Sequence, residues 1–483
     1  MIRRSLRAAG LCLLLASCAT VGPDYEVPPD SVFARAVHHP PALDGRGSAA
    51  VAPGQAAVEG RWWELYDDPR LTTLVEEALQ ANAELRIAAA RLTQAQARYA
   101  EARAASAPAA GVDAVVERGR ISAESLLLTE QLPVFNLAEG GISVSYQLDL
   151  FGKIRRLVET ARDDAEAAQA AGDLARISIV AQVVGAYVEI CHSNHELAVA
   201  RHALQLQGQS RDIAERMRSA GRGTPVVVAH ADSQQAALRA TLPPLESRRQ
   251  AAGYELAALL GRAPGELAAE VMQCREAPTL KQPIPLGDGA ALLRRRPDVR
   301  RAERELAAAT AEIGIATAML YPDITLGASF GANGLLKDFG KPVTQQWAIG
   351  PLISWSIPDS GARARVALAQ AGAEAALAGF DHVVLAALRE TQTLLDRYAD
   401  DLRLAAALRE ARDHAAAVAA DTQRLYQGGR VPYLASLDAQ RALTAAETSL
   451  ADAEARISQD QIRLFLALGG GWRVDAAASE ARP

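Results

Sequence analysis

The chain is written twice, and this repeat constrains its fold more than any other feature. The stretch from Ala83 to Gly119 lies beside Pro297 to Gly331: each is an alanine-rich helical pattern that runs into a proline and then an alternating strand. Leu92 matches Leu306, and Pro108 matches Pro322. Asp149-Leu150-Phe151-Gly152-Lys153 matches Asp359-Ser360-Gly361-Ala362, and Gly221-Arg222-Gly223-Thr224-Pro225 matches Gly428-Gly429-Arg430-Val431-Pro432. The offset stays at about 210 residues throughout. Duplication of this kind is the mark of a supersecondary unit that stacks against its own copy.

Each copy contains a helix of unusual length. No proline interrupts Lys153 to Ser219 or Ala362 to Gln427. At 1.5 Å per residue, roughly 65 residues reach about 100 Å. A pattern that long implies coiled-coil packing of long helices. Each long helix returns through another, over Val226 to Leu260 and Tyr433 to Leu468. Composition agrees, because hydrophobic residues make up 49% of the chain and aromatics only 5%. The apolar share is largely alanine, the strongest helix former and a small contact residue.

The remaining pattern is strand. Ile142, Val144, Tyr146, Leu148 and Leu150 alternate with Ser143, Ser145, Gln147 and Asp149. Ile324, Leu326, Ala328 and Phe330 alternate with Thr325, Gly327, Ser329 and Gly331. Trp347, Ile349, Ile353, Trp355 and Ile357 continue the theme, with Pro351 as an irregularity. Period two with one apolar face gives a strand between an apolar and a polar environment. A soluble antiparallel sheet would show the same alternation, but a length of about ten residues suits a tilted membrane strand. One hairpin per copy makes four strands, whereas the smallest membrane barrels need about eight. The subunit is therefore expected to oligomerise, as a dimer with eight strands or a trimer with twelve. Beyond the N-terminal segment no run of 18 apolar residues occurs, so no transmembrane helix is expected.

The N-terminus reads as a targeting segment. Arg3, Arg4 and Arg7 precede the short apolar run Leu11 to Ala16, and Leu15-Ala16-Ser17-Cys18 follows in the order of a bacterial lipoprotein signal. The thiol of Cys18 is the atom that would carry the lipid. Ala19, in place of an aspartate, favours export to the outer membrane. Cleavage before Cys18 removes three positive and no acidic residues, which takes the formal charge from −6 to −9. No basic block suggests a nucleic-acid partner. Cys12 leaves with the signal, so only Cys191 and Cys274 remain, too few for a disulfide framework, and they are not expected to pair.

The ordered blocks along the mature chain resemble those of the TolC-like outer-membrane efflux proteins, specifically the NodT-type lipoproteins that serve resistance-nodulation-division (RND) pumps. The resemblance begins at Cys18-Ala19-Thr20-Val21-Gly22-Pro23-Asp24-Tyr25 and continues with Trp62-Trp63, Tyr146-Gln147-Leu148-Asp149-Leu150-Phe151-Gly152 and Leu242-Pro243-Pro244-Leu245-Glu246. Its most specific block is Leu293-Arg294-Arg295-Arg296-Pro297-Asp298-Val299-Arg300-Arg301-Ala302-Glu303. Pro432-Tyr433-Leu434 and Leu437-Asp438-Ala439-Gln440-Arg441 follow.

The resemblance implies a mixed α and membrane-β fold: a trimer with a twelve-stranded outer-membrane β-barrel continuous with a long periplasmic α-helical barrel. It also implies a collar built from the N-terminal segment, the connection around Gly265 to Leu292, and the C-terminal tail. The implied boundaries are a signal peptide over 1–17, a lipid-anchored segment over 18–60, repeats over 61–275 and 276–471, and a tail over 472–483. The implied partners are a periplasmic adaptor, an inner-membrane RND transporter and outer-membrane lipid. The adaptor would meet the two hairpin tips, at Gly221, Gly223 and Thr224 and at Gly428, Gly429 and Pro432.

Asp438 and Arg441 stand three apart on a helix, so they share one face. By spacing alone they are a surface ion pair worth under about 1 kcal/mol. The resemblance implies instead a charged ring at the tunnel constriction, with Leu434 as an apolar plug and Tyr426 as a tip hydrogen-bond donor. The first tip departs from the pattern: Val226-Val227-Val228 occupy the place where an acidic residue is usual, and Asp232 lies a turn further on. His192 and His195, with Glu189 nearby, could face a metal, but two solvent-facing helix residues explain them as well, and no metal is expected.

No catalytic triad, phosphate loop or carboxylate cleft is recognisable, so no enzyme activity and no cofactor are expected beyond the lipid on Cys18. The function implied is a passive exit duct for drugs or other toxic small molecules. The alternatives are a duct for secreted polypeptides and a lipid-anchored coiled coil without a pore.

Overall fold

The computed structural model describes residues 20–40, 43, 50–53, 60–287, 289–357 and 360–470. The signal segment, Cys18 and the tail beyond 470 lie outside them. The elements in chain order are α1 (Val32–His38), β1 (Val51–Pro53), a 3-10 turn (Trp62–Tyr66), α2 (Pro69–Ala81), α3 (Ala83–Ala104), β2 (Ala109–Gly119), β3 (Phe135–Leu148), α4 (Lys153–Ser219) and α5 (Pro225–Leu259). A helical turn (Ala269–Met272), β4 (Ile284–Gly287), α6 (Gly289–Arg295), α7 (Pro297–Ala318), β5 (Asp323–Leu335), β6 (Gln345–Ser354), α8 (Ser360–Gln427) and α9 (Tyr433–Ala467) complete the chain.

The chain divides into two compact units. The first comprises Met1–Pro28, Arg91–Gln169 and Arg301–Phe380. Its centre is a four-stranded antiparallel sheet in the order β2-β3-β5-β6. The register places Val112, Ile142, Phe330 and Trp347 in one row across all four strands, and Ala110, Val144, Ala328 and Ile349 in the next. On the opposite face Gly111, Ser143, Ser329 and Ala348 align. Strand alternation thus becomes two faces of different polarity. Ile142, Phe330, Trp347 and Ile349 are all exposed. Pro351 sits on β6, an edge strand of the single chain's sheet, opposite Leu326. The strands run 10 to 14 residues, longer than the alternation suggested. β3 starts at Phe135 because Gly140 and Gly141 hide the period without ending the pairing.

Asp149 closes this sheet and opens α4. Its carboxylate accepts the N–H groups of Ile154 and Arg155, both at 2.9 Å, so it satisfies two of the donors a helix start leaves free.

The second unit comprises Pro29–Ala90, Ala170–Arg300 and Asp381–Pro483. Here β1 and β4 pair in parallel. Trp62 stacks on Phe465 at 4.5 Å, and Ile179, Val183, Val184, Leu256, Ile284, Leu286 and Leu395 join them in one buried cluster. Asp68 caps α2 through Arg70 N and Leu71 N, with Pro69 as the first helical residue. The connection between the repeats, with β4, belongs to this second unit.

Two expectations are corrected. Cys191 and Cys274 form a disulfide across 83 residues of chain. Packing of the inter-repeat connection on α4 brings their Cα atoms to 4.7 Å, within the range a disulfide spans. The expectation of no membrane-length apolar helix is also too simple. By length and composition alone, α4 and Gly361–Gln427 each contain an 18-residue window apolar enough to cross a membrane. The α4 window is 61% buried within the chain, which marks it as core, whereas the second is 17% buried.

Candidate gate and hairpin tips

Both long helices end in the same way. Gly221 and Gly429 take positive φ values of 74° and 69°, a region that other residues enter at a cost. The next residues close the cap: Arg222 N bonds Met217 O at 2.9 Å and Arg430 N bonds Leu425 O at 2.8 Å. The conformational match is therefore Gly221 with Gly429, one residue away from the sequence match with Gly428. A Cβ on Gly223 would lie 3.0 Å from Arg218 N, a close approach that a side chain there would have to relieve by a small shift. Thr224 and Pro432 each sit just before a return helix.

The apolar candidates lie at these tips. Leu434 and Val227 are half exposed, and Val226 is more exposed still. Tyr426 meets Tyr433 edge to face, with ring centroids 5.1 Å apart. Burial and the neighbouring Tyr426 raise the Tyr433 phenol above its ordinary pKa. Asp232, the acidic candidate near the first tip, is paired with Arg211 at 3.0 Å.

The Asp438–Arg441 pair forms at 3.3 Å, but it is only part of a larger latch. Arg441 Nη2 also donates to Gln207 Oε1 at 2.6 Å and to Ser210 Oγ at 3.0 Å. Both acceptors lie on α4 and are buried. Gln207 is itself held, since its Nε2 donates to Ala231 O at 3.1 Å. The guanidinium thus ties α9 of the second repeat to α4 of the first through charge-assisted hydrogen bonds, the stronger kind. Sequence reasoning found the cation and its local partner but missed the two neutral acceptors, which lie more than 200 residues away. A cavity of about 820 Å³ opens beside the latch, with Gln207, Leu238, Pro244 and Thr448 in its wall.

The histidine pair does not face solvent together. His192 is buried, and its Nε2 lies 3.0 Å from Ser458 Oγ, while His195 is exposed. Burial, with His195 and Arg248 nearby, pushes His192 down to about 4, so it is neutral at physiological pH. Glu189 pairs with Arg248 at 3.2 Å. Among the described residues no group of three His, Cys, Asp or Glu could hold a metal ion.

The Arg-rich block also finds its place. Arg296 is buried, pairs with Asp298 at 2.7 Å and Glu390 at 3.0 Å, and donates to Ala467 O at 2.6 Å. It joins the start of α7 to α8 and to the end of α9.

Two repeats of one strand hairpin and one helical hairpin, closed by a latch between the repeats, define a class of channel protein. The family model for the outer membrane efflux protein matches residues 74–262 and 290–470. Nodulation protein T of Rhizobium leguminosarum bv. viciae is 30% identical over 476 residues, covering 98% of this chain and 95% of that protein. The probable outer membrane lipoprotein SilC of Salmonella typhimurium is 26% identical, covering 98% and 100%. Among solved structures, the outer-membrane channel OprN superposes with a TM-score of 0.84 at 34% identity, covering 94% of this chain and all of that one. The chain belongs to the outer membrane efflux protein family. It has the fold of the solved outer-membrane channels and is an outer-membrane component of an efflux system.

Proposed function

We propose that three copies of this chain form a passive exit duct for drugs or other toxic small molecules. Their twelve strands close a barrel in the outer membrane, and their long helices enclose a periplasmic tunnel. Cys18 carries the lipid anchor, and the tips at Gly221–Thr224 and Gly428–Pro432 meet a periplasmic adaptor that links the duct to an inner-membrane pump. The observation that carries this reading is the sheet. It presents continuous apolar rows while β2 and β6 leave both edges unpaired in the single chain. Open edges are tolerated in lipid only when neighbouring chains pair them. The exposed apolar window of α8 fits the same reading, because a neighbouring copy would cover it. The Arg441 latch is the gate at the periplasmic end, where it holds α9 against α4 in the closed state.

The test is conductance in a planar bilayer, with the mass of the detergent-solubilised particle. Three copies per particle and a conductance that rises several-fold when Asp438 and Arg441 are both changed to Ala are the expected results. A stable dimer contradicts the trimer. A chain that never conducts, even with both substitutions, is not a duct.

A further inference from the structure

The cavity of about 820 Å³ beside the latch lies wholly within the second unit. Its floor is one face of α4, where Val199, Ala203 and Leu206 recur at helical spacing. Leu238 and Leu245 of α5 stand in one wall and Ala445 of α9 in the other. Pro243 and Pro244 lack the N–H groups that would continue the hydrogen-bond ladder of α5 as it passes the cavity. No aromatic ring stands among the lining residues. The volume is that of a small-molecule site, and the lining suits an aliphatic body. Apolar walls that face each other across a gap forgo dispersion contacts, which a ligand of matching shape restores.

The two ends of the cavity differ in charge. One holds Arg441, Gln207 and Gln234, where the guanidinium is already bonded to Asp438 and to its acceptors on α4. The other holds Glu196, Arg248 and Asp452. From Gln207 to Glu196 the floor runs 11 residues of α4, about 16 Å. Arg248 pairs with Glu196 and, at 3.2 Å, with Glu189. No ion pair among the described residues includes Asp452. Within this set, three carboxylates against one guanidinium give a net charge of −2. Burial raises the Glu196 carboxyl above its ordinary pKa, against the pull of Arg248 and with the repulsion of Asp452 and Glu189. A cation placed at this end relieves that repulsion.

We propose that the cavity binds an amphiphilic monocation, with its aliphatic body along Val199, Ala203 and Leu206 and its charged head at Glu196 and Asp452. Such a ligand touches α4 and α5 of the first repeat and α9 of the second, and so spans the two helices that the Arg441 latch joins. It binds the latched arrangement better than one in which α9 has parted from α4, because parting divides the cavity wall. A ligand with that preference shifts the gate toward its closed state. This last step rests on the reading of the latch as the gate, whereas binding does not.

The test is photolabelling of the full-length protein in dodecyl maltoside by decylamine that carries a terminal diazirine, read by mass spectrometry of tryptic peptides. Label is expected on peptide 223–239, which contains Leu238, or on peptide 442–456, which contains Ala445. Decyltrimethylammonium should compete about tenfold better than decanol. Equal competition by the two, or label spread over the chain without preference, overturns the proposal. Ala445→Phe fills the cavity from an exposed position of its wall and should cut this labelling about tenfold. Ala200→Leu, which also lines the cavity, serves if that variant fails to fold. Labelling that survives the filled cavity overturns the proposal. Asp452→Asn should weaken competition by decyltrimethylammonium about fivefold and leave competition by decanol unchanged; equal changes overturn the placing of the charged head. In planar bilayers, decyltrimethylammonium should lower the open fraction several-fold in the parent protein and not in Ala445→Phe. Equal block of both is plugging of the pore and overturns the link to the gate. A chain that never conducts removes the duct reading alone, and the labelling still decides the site.

Discussion

The hairpin of α4 and α5 and the hairpin of α8 and α9 turn the chain with the same backbone and carry different chemistry. Their caps share a positive-φ glycine, an arginine after it and the same closing hydrogen bond. Counted from the start of each return helix, Asp438 and Arg441 are the sixth and ninth residues of α9, and the sixth and ninth of α5 are His230 and Ser233. The first hairpin carries the disulfide and a core-like apolar window, while the second exposes its window. The first also supplies Gln207 and Ser210, neutral acceptors for the second hairpin's cation. The two turns share a geometry, while the donor of the latch lies on one copy and its neutral acceptors lie on the other.

Four experiments break or sharpen that contrast. The largest effect should come from the disulfide, which only the first hairpin has. Changing Cys191 and Cys274 to Ser should lower stability by about 2–5 kcal/mol, read as a shift in the urea midpoint that reductant no longer increases. An unshifted midpoint would mean the bond does not stabilise this hairpin.

Next is the latch. Arg441→Ala removes hydrogen bonds from a charged group, worth about 1.5–3 kcal/mol, and should raise the open fraction about tenfold or more in single-channel records. Gln207→Leu should raise it less, because Ser210 and Asp438 still hold the guanidinium. If Gln207→Leu has no effect while Asp438→Ala does, the latch is local to α9 and the division of labour between the hairpins fails.

The caps should respond alike. Gly221→Ala and Gly429→Ala should each cost about 1 kcal/mol, seen as faster hydrogen exchange at the Arg222 and Arg430 amides. A marked inequality would show that the two turns are not equivalent.

The smallest effect is a difference in pH response. Burial, then the neighbouring Asp401, raises Asp460 on α9 from 3.8 to about 6. Its contribution to stability is full below about 4 and lost as pH rises through 6. His192 on α4 is lowered from 6.5 to about 4, so its contribution is full above 6.5 and lost as pH falls through 4. Asp460→Asn should remove the loss on the alkaline side and His192→Asn the loss on the acid side, measured as urea midpoints from pH 4 to 7. Parallel changes in both variants would contradict these opposite titrations.

Much of the architecture was legible because it depends on local spacing. The absence of proline placed α4 at Lys153–Ser219, its observed limits, and put α8 two residues short of its start at Ser360. Alternation found the apolar rows but missed the beginning of β3, where paired glycines carry no polarity signal. The Arg-Arg-Pro-Asp block was recognisable as a pattern, but its physical reason, a buried Arg296 bonded to α8 and α9, was not. Asp438 was visible beside Arg441 because three residues bring side chains onto one helix face.

By itself the sequence determined the repeat, the helices and their turns, and the two-faced strands. Each follows from a period or a break that neighbouring residues impose on the backbone. Only the tertiary structure decided that Cys191 meets Cys274, that His192 is buried against Ser458, and that Arg441 reaches Gln207 and Ser210. Those pairings join residues 83 or more apart in the chain, so they depend on which helix faces come together, and no local period encodes that.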